Sequence, residues 1–170
     1  MAPEHADRRQ REGVRETTIE SPSGPPLSYL LDTNVLSEIY KGTKGDPRVR
    51  AWVARAADED LYISGVVIGE LRKGIEIIRR RDQAHAASLE HWVRRLVPEY
   101  GDRILPLDLA VAEEWGRLSA VRSTSVIDTL LAATARVHGL TLATRNVRDI
   151  AWTGVDWINP FDAQSIARDT

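Results

Sequence analysis

Four acidic side chains stand where a chain rarely places charge without a chemical reason. In SYLLDTNVLSE, residues 28–38, the apolar run Tyr29-Leu30-Leu31 leads directly into Asp32. Glu70 lies in VVIGELRKGI, early in an apolar-periodic segment. Asp128 lies in VIDTLLAATARVHGL between Ile127 and Leu131, and Asp149 in LATRNVRDI, just past another apolar run. A carboxylate aimed into a buried crevice is costly unless something compensates it. One divalent cation would compensate several at once. Oxygen donors without cysteine, and without an obvious histidine pair, suit Mg²⁺ (or Mn²⁺ in its place) over Zn²⁺. Such an ion, or two at about 3.5–4 Å from one another, can bind a phosphodiester, activate a water and stabilise the leaving oxygen. The expected chemistry is therefore phosphodiester hydrolysis, with Asp32 and Asp128 holding the principal ion and Glu70 and Asp149 completing its shell directly or through water. Without the ion, mutual repulsion should raise at least one carboxylate pKa.

Taken singly, each acid also has an ordinary structural role. Asp32 can cap a helix beginning near Asn34. Glu70 can pair with Lys73, Asp128 can serve a helix dipole, and Asp149 can be a loop or salt-bridge residue. It is their order, each at its own kind of boundary, that points to a shared site.

The elements that must position these acids follow from the pattern. Short apolar runs at 29–31, 61–63, 103–106 and 140–143 read as strands, with VDWI at 155–158 as a last one. Helical segments separate them: Asn34 to Tyr40, ended by Lys41-Gly42; Arg48 to Ala57, opened by Pro47; one capped by Ser64 that carries Val66, Val67, Ile68, Leu71, Ile75 and Ile78; 82–97, stopped by Pro98; one capped by Asp108 that runs to about Val121; and Val126 to His138, capped by Ser125 and ended by Gly139. Strands alternating with helices imply crossovers and a mostly parallel sheet. In such sheets ligands bind beyond the carboxyl ends of the strands, which is where Asp32 falls.

Composition sets limits. The chain has 170 residues, 42% of them apolar, which fits one domain with one core. With 23 basic and 25 acidic side chains, global charge does not gather nucleic acid, so any such contact must be local. Candidate phosphate contacts are Lys41, Lys44, Arg72, Lys73, Arg145 and Arg148. The Arg79-Arg80-Arg81 run at a helix end is better read as dipole complementation. There is no cysteine, which fits a cytoplasmic location, and no apolar run of about 18 residues to span a membrane. Residues 1–27 mix charge with Pro, Gly and Ser, lack apolar periodicity, and read as a disordered extension ahead of a domain at 28–170. The five tryptophans, Trp52, Trp92, Trp115, Trp152 and Trp157, suit packing or an interface better than base stacking. Apolar surface on the helices near 33–40, 48–57 and 66–78 suggests a homodimer and a partner groove.

The stretches LLDTNVLSE, VVIGELRKGI, VIDTLLAATARVHGL and LATRNVRDI, in that order across about residues 29–160, resemble the PIN-domain superfamily. Within it they are most similar to the VapC-type toxins of type II toxin–antitoxin systems, near the FitB-like branch. The resemblance implies a three-layer α/β/α sandwich around a mostly parallel sheet of four to five short strands. It implies a Mg²⁺-dependent endoribonuclease that cleaves cellular RNA such as tRNA or rRNA, leaving a 5′-phosphate and a 3′-hydroxyl. It matches Asp32, Glu70, Asp128 and Asp149 to the family's acidic quartet. It also points to Thr144 and Asn146, with Thr33 and Asn34, as hydroxyl and amide groups near the metal or substrate. The implied partner is a cognate VapB-like antitoxin whose tail can place a basic side chain among the acids. The long N-terminal extension departs from the family pattern, as does the lack of Gly or Pro in VRSTSVID. The alternative is a catalytically weak PIN-like module that binds a protein or RNA.

Overall fold

The computed structural model describes residues 28–162; the expected N-terminal extension at 1–27 lies outside the described residues. Five strands, β1 (Tyr29–Leu31), β2 (Leu61–Ser64), β3 (Ile104–Leu105), β4 (Thr141–Ala143) and β5 (Trp157–Ile158), form one sheet in the order β3-β2-β1-β4-β5. All four pairings are parallel, and β1 lies between β2 and β4 with Leu31 opposite Ile63 on one side and Ala143 on the other. The chain moves outward from β1 to β3, then returns to the other side of β1 for β4 and β5. The gap between the carboxyl ends of β1 and β4 is thus a topological switch point, where parallel sheets place ligands.

Among the described residues, seven α-helices connect and cover the strands: α1 (Thr33–Tyr40), α2 (Pro47–Val53), α3 (Gly65–Arg79), α4 (Gln83–Tyr100), α5 (Leu109–Val121), α6 (Val126–His138) and the short α7 (Val147–Ile150). The result is the three-layer α/β/α sandwich expected from the resemblance. All three residues of β1 are buried, as in a strand covered on both faces. Leu30, Leu31, Val35, Leu36, Ile63, Val67, Leu131 and Leu142 form the heart of the core. Each large aliphatic chain hidden this way contributes about 1.5–3 kcal/mol. Helix α6 packs on β1, β4 and α5, and every residue from Leu131 to Ala135 is buried. Its alanines let the helix approach the sheet closely, which brings Asp128, one turn earlier, over the strand ends.

The local stop and start signals act as expected at several places. Ser64 accepts from the Val66 N–H, Asp108 from Val111 and Ser125 from Asp128. Gly139, at φ +64°, ends α6 in the left-handed conformation that glycine adopts without strain. Other bounds differ. Helix α4 does not stop at Pro98 but runs to Tyr100 and ends at Gly101, φ +51°. A proline in the last turn removes one intrahelical bond and leaves the turn in place. Helix α2 ends at Val53 rather than at residue 57, because the chain must turn through Asp58–Asp60 to enter β2. Strand β3 is shortened to Ile104–Leu105: Arg103 is drawn into a turn where its guanidinium donates to the Asp58, Leu61 and Glu99 carbonyls.

Candidate active site

Asp32 is the residue on which the site is built. Its backbone N–H donates to the Ala143 carbonyl (3.0 Å), extending the β1–β4 ladder one step past the strand. Its carbonyl accepts from the Val35 and Leu36 N–H groups, so by backbone it occupies the N-cap of α1. Its carboxylate makes no capping bond. Instead, Oδ2 accepts from Thr144 Oγ1 at 2.6 Å and from Asn34 Nδ2 at 2.5 Å. Thr144 directly follows β4 and Asn34 stands in the first turn of α1, and Asp32 is only 4% exposed.

Burial is the main reason its pKa is raised above the ordinary carboxylate value, and the negative charges of Asp128 and then Glu70 push it further the same way. The Thr144 hydroxyl and the Thr33 backbone N–H oppose the rise. No cationic side chain among the described residues forms an ion pair with Asp32. The repulsion expected among the acids is therefore present, although burial outweighs it.

The other acids divide. Asp128, also buried, stands in the first turn of α6, where Asn146 Nδ2 lies 3.4 Å from its Oδ1. Glu70, half-buried on α3, accepts from Thr33 Oγ1 at 2.8 Å. Both act electrostatically on Asp32. Asp149 is exposed on α7 and is not among the charges acting on Asp32; its carbonyl accepts from Trp152 Nε1 at 2.8 Å. The structure thus brings Asp128 and Glu70 within electrostatic reach of Asp32 and leaves Asp149 exposed to solvent.

The polar residues form the connecting frame. Asn34 donates to Asp32 and accepts from the Arg145 N–H at 3.3 Å, while Thr144 accepts from the Asn146 N–H at 2.9 Å. Asn34 therefore ties α1 to the loop after β4. The sequence signal for this was the DTN tripeptide, but its partner is 110 residues away and only the fold supplies it.

The donor set fits a hard dication. It is all oxygen, and its most buried carboxylate has no cationic partner. Among the described residues no three Asp, Glu or His side chains converge tightly enough to hold an ion by themselves. Mg²⁺ does not require three, because it commonly binds one or two carboxylates and keeps several waters.

The basic candidates also divide. Lys41 is paired with Glu38, and Arg72 and Arg79 with Glu90. Arg145 and Arg148 form no ion pair among the described residues and line a groove of about 520 Å³ beside Asn146 and Asp149. A second groove, of about 480 Å³, runs between α1, α3 and α4 from Thr33 and Glu70 to Tyr40, His85 and Trp92. His85 carried no signal in sequence; it reaches the groove because α4 packs against α3.

Comparison with known proteins agrees with this architecture. Residues 29–151 match the PIN domain family model. The chain is 36% identical over 140 residues to the VapC ribonuclease Y4jK of Sinorhizobium fredii, covering 78% of this chain and 97% of that protein. It is 32% identical over 140 residues to toxin FitB of Neisseria gonorrhoeae, again covering 78% of this chain and 97% of the relative. The crystal structure of FitAcB from Neisseria gonorrhoeae superposes with a TM-score of 0.70 at 31% identity, covering 78% of this chain and 98% of that one. No helix among the described residues is long and apolar enough to cross a membrane. By family match, by relatives and by fold, the chain belongs to the PIN-domain family.

Proposed function

We propose that this protein is a Mg²⁺-dependent endoribonuclease that acts as the toxin of a type II toxin–antitoxin pair and cleaves cellular RNA such as tRNA or rRNA. One observation carries the reading. A carboxylate at the switch point of a parallel sheet is buried, is held by two neutral donors, and has two further acids as its charged neighbours. That arrangement leaves a negative site unfinished by the protein's own cations. The names of the relatives, a ribonuclease and a toxin, support the same conclusion.

In this reading Asp32 and Asp128 hold the ion, with Glu70 and Asp149 completing its surroundings directly or through water. When bound, the ion supplies a site for the scissile phosphate and lowers the pKa of a water. Thr144 and Asn34 keep the Asp32 carboxylate in one orientation. Asn146 does the same for Asp128, and Thr33 for Glu70. A carboxylate of this set takes the proton from the attacking water, which enters in line with the leaving 3′-oxygen, so the products are a 5′-phosphate and a 3′-hydroxyl. The cognate partner is an antitoxin whose chain lies in the groove between α1, α3 and α4, which runs from apolar side chains to Glu70. A basic side chain delivered there would neutralise the acids in place of the ion. A groove lined by Ile39, Pro47 and Val53 between α1 and α2 supports self-association into a dimer.

The test is cleavage of purified tRNA and rRNA in Mg²⁺, in Mn²⁺ and in EDTA, with Asp32→Asn and Asp128→Asn as controls. The expected result is cleavage in either metal, none in EDTA, and none by the two folded variants. Cleavage that persists in EDTA and in both variants rejects the reading.

A further inference from the structure

Of the five tryptophans, four are accounted for by packing or bonding. Trp52 is buried edge-on to Tyr29, with ring centroids 5.0 Å apart, and Trp92 packs at 4.7 Å from Tyr40. Trp115 packs against the core, and Trp152 does so while its indole N–H donates to Asp149. Trp157 is different. It lies on β5, the edge strand of the sheet, and is 44% exposed. A single exposed apolar side chain is ordinary in itself; what gives this one meaning is its neighbours.

Trp157 lines a groove together with Arg145, Arg148, Asn146 and Asn159 and with the carboxylates Asp149 and Asp162. Arg145 is set in place: its guanidinium stacks on the Phe161 ring at 4.8 Å. Arg148 is exposed, and neither arginine forms an ion pair among the described residues. Asp162 is engaged by Asn159 Nδ2 at 3.0 Å. Asn146 links the groove to the carboxylate centre: it lines the one and donates to Asp128 in the other. An exposed indole beside two unpaired arginines is the combination that binds single strands: bases stack on the ring and phosphates meet the guanidinium groups.

We propose that this groove is a nucleobase subsite in which the Trp157 indole stacks on one base of single-stranded RNA while Arg145 and Arg148 hold the flanking phosphates and lead the backbone to the carboxylates beside Asn146. The inference rests on the ribonuclease reading and deepens it. It also names where a chain with no excess of positive charge can meet a polyanion: at two arginines that form no ion pair among the described residues, in a groove they share with Asp149 and Asp162.

The test uses the full chain carrying Asp128→Asn, which holds RNA without cleaving it, and a fluorescein-labelled unstructured ten-nucleotide RNA read by anisotropy in Mg²⁺. Adding Trp157→Ala should weaken binding by about ten- to hundred-fold, the span of alanine truncation at a base-stacking aromatic, while Trp157→Phe keeps most of it. Arg145→Gln and Arg148→Gln should each lower the slope of log affinity against log salt by about one phosphate contact. Binding should also quench tryptophan emission in the parent and not in Trp157→Phe. Equal affinity of Trp157→Ala and its parent overturns the inference. So does a change from dimer to monomer in sedimentation with RNA affinity intact, which would make Trp157 an interface between copies of the chain. Failure of the ribonuclease reading is separate: it shows as no Mg²⁺-dependent RNA cleavage by the parent chain, or as cleavage that persists in Asp128→Asn.

Discussion

Asp32 and Glu90 are both carboxylates gripped by several hydrogen bonds, yet their acidities move in opposite directions. Glu90, on α4, accepts from Arg79 Nη2 at 2.6 Å, Arg72 Nη1 at 3.0 Å and Arg94 Nη2 at 3.2 Å. The bond from Arg79, then that from Arg72, draws its pKa down to about 2. Asp32 has donors at least as close, but they are a hydroxyl and an amide, and its pKa goes up because it is buried, with Asp128 and Glu70 adding to the rise. What separates the two regions is who completes the charge. At the α3–α4 face the protein supplies its own cations and the result is a solvated, finished cluster. At the switch point it supplies orientation without neutralisation. A site that is oriented and unneutralised is prepared for a cation from outside.

The strongest way to break this contrast is to remove charge at each centre in turn. Asp32→Asn or Asp128→Asn should lower the rate of RNA cleavage by about 10²–10³-fold or more, as loss of a preorganised electrostatic group does. Circular dichroism should remain unchanged. Glu90→Gln should cleave RNA at the parent rate. Equal losses at both places would mean that the effect is global and not a property of the crevice.

A second measurement separates the regions by metal. Mn²⁺ at a hundred times its dissociation constant should stabilise the parent by about 2.7 kcal/mol. In a chain of this size that is a rise in Tm of about 5–10 °C. Asp32→Asn should lose the shift and Glu90→Gln should keep it.

The sequence made one side of this contrast more legible than the other. Asp32 was visible because an apolar run ends in an acid, and the caps Ser64, Asp108 and Ser125 were visible because capping is local chemistry. The strand–helix alternation was enough for a parallel sandwich. The bond between Thr144 and Asp32 spans 112 residues; only the pairing of β1 with β4 creates it, and one sequence carries no record of that register apart from family resemblance. For the same reason the exposure of Trp157 could not be read: it follows from β5 being an edge strand, a fact about sheet order. Pro98 misled because its effect depends on distance from the helix end, which its own neighbourhood does not give.

Thr144 tests whether the neutral donors matter. Thr144→Val deletes the hydroxyl that donates to Asp32 and accepts from the Asn146 N–H. Removing the Asn146 N–H's partner and one of the two side-chain donors to Asp32, which keeps Asn34, should cost about 1–3 kcal/mol in urea unfolding. The Thr144 hydroxyl also opposes the rise in the Asp32 pKa. Its removal should therefore move the acidic limb of the pH–activity profile to higher pH. Thr144→Ser, which retains the hydroxyl, should restore both. A Val variant with unchanged stability and pH profile would place the hydrogen bond outside the function.

The pH dependence of stability sharpens the comparison further, and here the signs differ. The folded pKa of Asp32 is raised above its unfolded value of about 3.9. Its protonated form thus favours the fold below that value, and this contribution is lost as pH rises through the folded pKa. In EDTA at neutral pH, Asp32→Asn should be more stable than the parent, and the advantage should close as pH falls below about 4.

Glu90 runs the other way and should show the smallest effect. Its folded pKa, about 2, lies below the unfolded value, so its contribution is present above the latter and lost as pH falls toward 2. Its arginine partners are well exposed, at 37% for Arg79 and 74% for Arg94. Solvent and salt screen such pairs, and much of their attraction is offset by the cost of ordering long side chains. Glu90→Gln should therefore change the Tm at pH 7 by no more than an ordinary surface substitution, and high salt should shrink even that difference. Should Glu90→Gln instead match Asp32→Asn in its response to EDTA, the α3–α4 cluster would be coupled to the metal through the groove that Glu70 shares with α4. The two regions would then have to be treated as one electrostatic unit.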